Sequence, residues 1–268
     1  MLASDRFSAT EKAWRSGLYA GRRMGDRVRR SSTDARNAFT DDPPPAGVPA
    51  IWFTQENARP PDGPWSGYLT FDLDPLEGRN AYFPSWWWLV DLLGGPGVDH
   101  FLGRALTLPE LQSSRHVDYG DRPGFACAFV NNPTPMRLHA IRALQHVGRV
   151  DVFDRAVGRP VGSKLDLARR YRFVICFEND IYPGYVTEKP LEAWGTGAVP
   201  LWWGLDPARY LNRQALVNAA ELPSFTDFAE TVAHLDNADA WSAMASSPLL
   251  TRPPDLTEAI AVVKRALG

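Results

Sequence analysis

The run Phe173 to Phe177 (FVICF) has no polar residue at any alternate position. A strand of that composition is buried on both faces, which happens where helices cover a parallel sheet from either side. Its flanks agree. Upstream, Phe125 to Val130 (FACAFV) is a second such run, stopped by Asn131-Asn132-Pro133. Thr134-Pro135 then pairs an N-cap residue with a proline at the first helical position. The helix is predicted to reach about Val147, with Ile141, Leu144 and Val147 on one face. Val150 to Phe153 reads as the next strand, and Ser163 as the cap of a short helix to about Arg170. Thr187 is the expected cap of a helix that tolerates Pro190 in its first turn, with Gly197 as its stop and Val199 to Trp203 as the strand that follows. This alternation over roughly residues 122–210 specifies an α/β fold with a parallel sheet.

Before that region, Ile51-Trp52-Phe53 and Tyr68 to Phe71 read as buried strands, and Asp41-Asp42-Pro43-Pro44-Pro45 as a linker. Residues 1–36 hold nine Arg or Lys against four acids. The expectation is a solvated helix whose charge suits weak peripheral contact with anionic lipid. The C-terminal part reads as helical, ending in Leu256 to Leu267 after Pro253-Pro254. Four segments result: 1–49, 50–121, 122–250 and 251–268. The whole chain has a formal net charge of −2, so it carries no footprint for nucleic-acid binding. Its longest apolar stretch, Trp86 to Leu93, is interrupted by Asp91 and falls far short of the ~20 residues that span a bilayer. No apolar core follows the basic N-terminal residues, as a secretory signal would require. The two cysteines, Cys127 and Cys176, sit in apolar runs and read as buried free thiols. A cytoplasmic protein, at most peripheral to the membrane, is the resulting expectation.

In an open parallel sheet, ligands bind beyond the carboxyl ends of the strands. Two predicted helices start at that edge, one with Arg137 in its first turn and one with Glu188 and Lys189 in its first turn. Helix N-termini present free N–H groups, and with Arg137 and Lys189 they suit a pyrophosphate. Glu188 sits badly with phosphate but well with a vicinal diol, as in ribose. Asp72-Leu73-Asp74 matches a DxD metal pattern, but three residues match cheaply, and turn and salt-bridge roles are expected. The histidines, His100, His116, His139, His146 and His234, lack metal-ligand spacing. Glu178 reads as a residue that holds the following loop rather than as a base. Trp86-Trp87-Trp88 reads as core packing between domains ahead of a sugar platform.

The segment YRFVICFENDIYPGYVTEKPLEAWGTGAVPLWWG, residues 171–204, resembles the donor-site signature of the family 10 α-1,3/4-fucosyltransferases. Its parts are Phe177-Glu178-Asn179, then Tyr185-Val186-Thr187-Glu188-Lys189, then Val199-Pro200 through Gly204. FACAFVNNPTPMRLHAIRAL and RVDVFDRAVGRP are similar to the family's first two donor-domain strands, and IWFTQENAR and FDLDPLEGRNAYFPSWW to segments further upstream. The resemblance covers about residues 51–210. It implies a GT-B-like α/β fold of two Rossmann-like domains, with residues 50–121 on the acceptor side and 122–250 binding GDP-fucose. About 50 residues precede Glu56, so the N-terminal domain is expected to be abridged, and Gln55 stands where the family usually has glycine. By position, Arg137 and Lys189 hold the donor diphosphate, Glu188 binds hydroxyls of ribose or fucose, Asn179 and Tyr185 line the pocket, and Glu56 is the general base. The implied reaction is inverting transfer of L-fucose from GDP-β-L-fucose to a hydroxyl of an acceptor oligosaccharide (GlcNAc or Glc, α1,3 or α1,4). It needs no metal or other cofactor, a divalent ion being at most stimulatory. The alternatives are another GT-B nucleotide-sugar transferase, or a donor- or glycan-binding protein without turnover.

Overall fold

Short apolar strands do form where the sequence runs are uniformly apolar. The computed structural model describes residues 39–40, 44, 47–54, 56–92, 105–153 and 164–267. The predicted N-terminal helix, most of the Asp41–Pro45 linker, Gln55, His100, Ser163 and residues 154–160 of the RVDVFDRAVGRP segment lie outside these.

The contacts gather the described residues into two units. One runs to Trp88 and takes up the chain again from Asp255; the other is Leu89–Pro254. The first unit has a four-stranded parallel sheet in the order β1 (Phe39–Thr40), β2 (Ile51–Phe53), β3 (Gly67–Thr70), β4 (Asn80–Tyr82). Sequence reading found β2 and β3 but neither β1, in the segment taken as basic tail and linker, nor β4. Ala50, Trp52, Trp65 and Tyr68 form an apolar cluster on this sheet, with the Trp52 and Tyr68 rings edge-on at 6.5 Å.

The second unit opens with the short pair β5 (Val90–Asp91) and β6 (Leu106–Thr107), followed by helix α1 (Leu108–Leu111). Its main elements are β7 (Gly124–Phe129), α2 (Pro135–Gln145), β8 (Val150–Phe153), α3 (Lys164–Ala168), β9 (Tyr171–Ile175), α4 (Lys189–Gly195), β10 (Val199–Trp202) and β11 (Val217–Asn218). The five strands form one parallel sheet ordered β11-β10-β9-β7-β8. Phe125, Ala126, Ala128, Phe173, Ile175, Val199 and Leu201 line its core. Ala140, Ile141 and Leu144 of α2 pack there, as do Phe228 and Val232 of α5 (Phe225–Leu235) and Trp241 and Ala245 of α6 (Ala238–Ser246).

Two expectations about boundaries change. Residues 89–92 and 105–121, grouped by sequence with the upstream domain, belong to the second unit. The last helix, α7 (Thr257–Leu267), packs on β3 and β4 of the first unit and is no separate segment. Its buried residues Ala259, Val262, Val263 and Ala266 recur at helical spacing, and Gly67 of β3 lets Val262 approach closely.

Candidate functional site

The strand order β8-β7-β9-β10 reverses direction between β7 and β9. Such a reversal leaves a crevice outside the carboxyl ends of the two strands, where doubly wound sheets bind ligands. The loops that leave this point carry Asn131–Thr134 on one side and Glu178–Glu188 on the other. Arg137 ties them together. It lies one turn ahead of Ala140, Ile141 and Leu144 on the buried stripe of α2, and is only 5% exposed. Thr134 caps the helix by accepting a bond from the Arg137 backbone N–H at 3.4 Å. The Arg137 guanidinium donates from Nη1 to the Asn132 carbonyl, and from Nη2 to the Phe177 carbonyl at 2.7 Å and Asn179 Oδ1 at 3.3 Å. Burial pulls its pKa below the usual arginine value, with nearby Glu178 acting against the shift. A guanidinium has five N–H donors. Among the described residues three are engaged, leaving the Nε hydrogen and one Nη1 hydrogen, on different edges of the guanidinium, for a ligand.

Glu178, 0% exposed, is the hub of the second loop. Its Oε1 accepts from the Thr187 backbone N–H at 2.9 Å and Trp202 Nε1 at 3.2 Å; its Oε2 accepts from Thr187 Oγ1 at 2.8 Å and Lys189 Nζ at 2.7 Å. These bonds hold the loop, as the sequence suggested. They also correct the expectation for Thr187. Its hydroxyl donates to Glu178 and accepts from the Lys189 backbone N–H only at a long 3.5 Å, while the residue at the N-cap of α4 is Glu188, in helical backbone and with no side-chain cap bond. Lys189 donates additionally to Thr187 Oγ1 at 3.2 Å. Its pKa is raised: burial, the largest influence, works downward, but Glu178 and Glu188 outweigh it. Asn179 is exposed, Glu188 is half-buried, and Tyr185 is buried with its backbone N–H bonded to the Tyr182 carbonyl at 3.0 Å. Arg137, Asn179 and Lys189 therefore meet through Glu178 and Phe177 on one sheet edge. Sequence reading missed the Trp202 bond and the reach of Glu178 to Lys189. The available signal was an acid at the exit of an all-apolar strand, which must be partnered if buried.

Glu56 lies in the first unit, exposed, just past β2. Its backbone N–H bonds to Thr54 Oγ1 at 3.1 Å, and its carbonyl accepts from the Ala58 N–H at 2.7 Å. Arg59 does not pair with it but lies over the Phe71 ring at 4.7 Å, 3.5 Å from Asp72 and bonded to Asn57. Asp72 and Asp74 are turn formers: Asp72 Oδ1 accepts from the Asp74 N–H at 3.2 Å, and Asp74 Oδ1 from the Leu76 N–H at 2.8 Å. No group of three His, Cys, Asp or Glu among the described residues could hold a metal ion. Trp86 and Trp87 are buried and pack edge-on against each other at 6.0 Å, with Phe83 5.1 Å from Trp87. Cys127 and Cys176 are buried free thiols, both pushed up by burial. No described helix is long and apolar enough to cross a membrane.

Residues 121–242 match the model described as glycosyltransferase family 10 (fucosyltransferase) C-term. The 3-galactosyl-N-acetylglucosaminide 4-alpha-L-fucosyltransferase of Pongo pygmaeus is 28% identical over 221 residues, covering 78% of this chain and 54% of that protein. A 4-galactosyl-N-acetylglucosaminide 3-alpha-L-fucosyltransferase of the same species is 33% identical over 204 residues, covering 71% and 51%. The chain thus spans about half the length of the curated relatives it matches. A crystal structure of an alpha1,3-fucosyltransferase with GDP matches with a TM-score of 0.69 at 21% identity, over 100% of this chain and 92% of that one. A second, with GDP-fucose, gives 0.65 at 21% identity, over 84% and 76%. The structural likeness establishes the fold as α/β of the GT-B type.

Proposed function

We propose that this chain, whose residues 121–242 match the family 10 fucosyltransferase C-terminal model, transfers L-fucose from GDP-β-L-fucose to a hydroxyl of an acceptor glycan, with inversion at the anomeric carbon. The observation that carries this reading is the Arg137 bridge across the switch point, with Lys189 held on the same edge. In the reaction, the C1–O bond to the diphosphate breaks as the acceptor oxygen attacks from the opposite face. Charge grows on the departing GDP. Arg137, through its remaining donors, and the Lys189 ammonium stabilise that charge as fixed cations that need not reorganise. Glu188 accepts from sugar or ribose hydroxyls, and Asn179 and Tyr185 shape the pocket. Glu56, exposed just past β2, takes the acceptor proton as general base. The diphosphate is neutralised by side chains, so no metal is required. Related donor-domain relatives are named as fucosyltransferases acting at the 3- or 4-position of N-acetylglucosaminides, which supports an N-acetylglucosamine-containing acceptor. Calorimetric titration with GDP-fucose, GDP-mannose and UDP-glucose tests the donor. GDP-fucose should bind tightest, and preference for a UDP-sugar would refute the assignment.

A further inference from the structure

We propose that Glu178 is a positioning residue of the donor site, whose buried carboxylate aims the Lys189 ammonium at the donor diphosphate and keeps it charged there. This rests on the reading of Lys189 as a diphosphate ligand. The two oxygens of Glu178 divide the task. Oε1 is fixed by two buried bonds, from the Thr187 backbone N–H and the Trp202 indole of β10. Oε2 faces the Thr187 hydroxyl and the Lys189 ammonium. All four acceptor positions of the carboxylate are thereby filled. The ammonium has three N–H donors. Glu178 Oε2 and Thr187 Oγ1 take two of them, so the direction of the third is set by the other two. Glu178 is wholly buried while the Lys189 side chain is 23% exposed, so the pair reaches the surface through the lysine.

Among the described residues, the charged and titratable groups around Lys189 are Glu178, Glu188, Arg137 and the Cys176 thiol. Burial and Arg137 work against its charge; Glu178 and Glu188 favour it. In Glu178→Gln the amide oxygen can still accept from Thr187 and Trp202, but its NH2 opposes the ammonium, donor to donor. Lys189 is then left with burial and Arg137 against Glu188 alone, and it loses its proton at lower pH.

The test is GDP titration by calorimetry from pH 7 to pH 9 in wild type, Glu178→Gln, Lys189→Ala and the double variant. Lysine side-chain NMR follows Lys189 in parallel. Wild-type affinity should vary by less than about twofold over this range. Glu178→Gln should bind about tenfold more weakly at pH 7 and lose about another tenfold by pH 9. In the Lys189→Ala background it should change affinity less than about twofold. Equal losses in both backgrounds with parallel pH profiles would mean a structural role only and overturn the proposal. The NMR titration needs no nucleotide: a Lys189 midpoint unmoved in Glu178→Gln also overturns it. A moved midpoint with GDP affinity indifferent to Lys189→Ala supports the Glu178–Lys189 linkage and fails the donor reading instead. If Glu178→Gln does not fold, Glu178→Asp carries the test. It keeps the charge on a shorter arm, so GDP should bind about tenfold more weakly with a flat pH profile, and wild-type affinity would overturn the proposal.

Discussion

Arg137→Ala separates the strut role that the structure shows for this side chain from the phosphate-ligand role proposed for it. As a strut, Arg137 bonds the carbonyls of Asn132 and Phe177 and the amide of Asn179. Asn132 and Asn179 are exposed, so water can replace the guanidinium there. Phe177 is 1% exposed, and an orphaned carbonyl there costs about 1–3 kcal/mol. Loss of the side-chain stem from the α2 stripe adds about 1–2 kcal/mol. Relief of the buried charge, the main cause of the lowered pKa, returns part of that. The net destabilisation is about 2–3 kcal/mol, or about 5–10 °C in Tm for a chain of this size. As a ligand, Arg137 has two donors left for phosphate, and losing a charge-assisted pair costs about 1.5–3 kcal/mol. GDP should bind roughly 10- to 150-fold more weakly at a temperature where the variant is fully folded. Arg137→Lys keeps the charge without the fork, and should restore less than half of either loss. The assays are a thermal melt and GDP calorimetry on one preparation. A Tm within about 1 °C of wild type would refute the strut argument, and unchanged GDP affinity would refute the clamp.

Gly197→Ala should lower stability by about 2–4 kcal/mol, because Gly197 ends α4 at φ +89° and a Cβ there would lie 2.0 Å from Arg122 Nη2. Arg122 bonds the Thr196 and Tyr171 carbonyls at 2.8 and 2.9 Å and has little room to retreat, so a melt at wild-type temperature would contradict this. Fucose transfer should survive EDTA with at least half its rate, because Asp72 and Asp74 spend oxygens on the Asp74 and Leu76 N–H groups. Loss with EDTA, rescue by manganese and failure of Asp72→Asn would assign a metal to that pair. Tyr171, pushed up to about 12 by burial and its bond to Asp151, has a folded pKa above its unfolded value. Its contribution to stability is complete below about pH 10 and is lost as pH rises toward 12. Denaturant melts of wild type and Tyr171→Phe should therefore converge over that range, and a constant difference would contradict it.

The parallel sheet of the second unit was legible because β7, β9 and β10 lie in runs with no competing polar pattern, and Thr134-Pro135 fixed the start of α2. Shorter strands were hidden for physical reasons. β4 begins with Asn80, a poor strand former on sequence grounds, but its side chain accepts from Thr70 and donates to the carbonyls of Asp72 and Asp74. β1 and β11 are two residues each, too short for any periodicity to register. The amphipathic spacing of α7 announced a helix, but nothing local encodes that it packs on a sheet formed about 190 residues earlier. The first-turn positions of Arg137 and Lys189 were legible. Their partners were not: Thr187 has every local mark of an N-cap, yet its hydroxyl answers to a carboxylate nine residues upstream. That carboxylate is decided by the tertiary burial of Glu178 rather than by any spacing rule.

The central claim, that this chain moves fucose from GDP-fucose by base-assisted attack, is tested most directly by product formation with labelled GDP-fucose and an N-acetylglucosamine-terminated acceptor, wild type beside Glu56→Gln. The account predicts an α-linked fucosyl product by NMR from the β-linked donor. It also predicts that Glu56→Gln cuts turnover by about 10²–10⁴ while GDP-fucose affinity and Tm stay near wild type. A retained β configuration, or a Glu56→Gln protein that turns over at the wild-type rate, would contradict it.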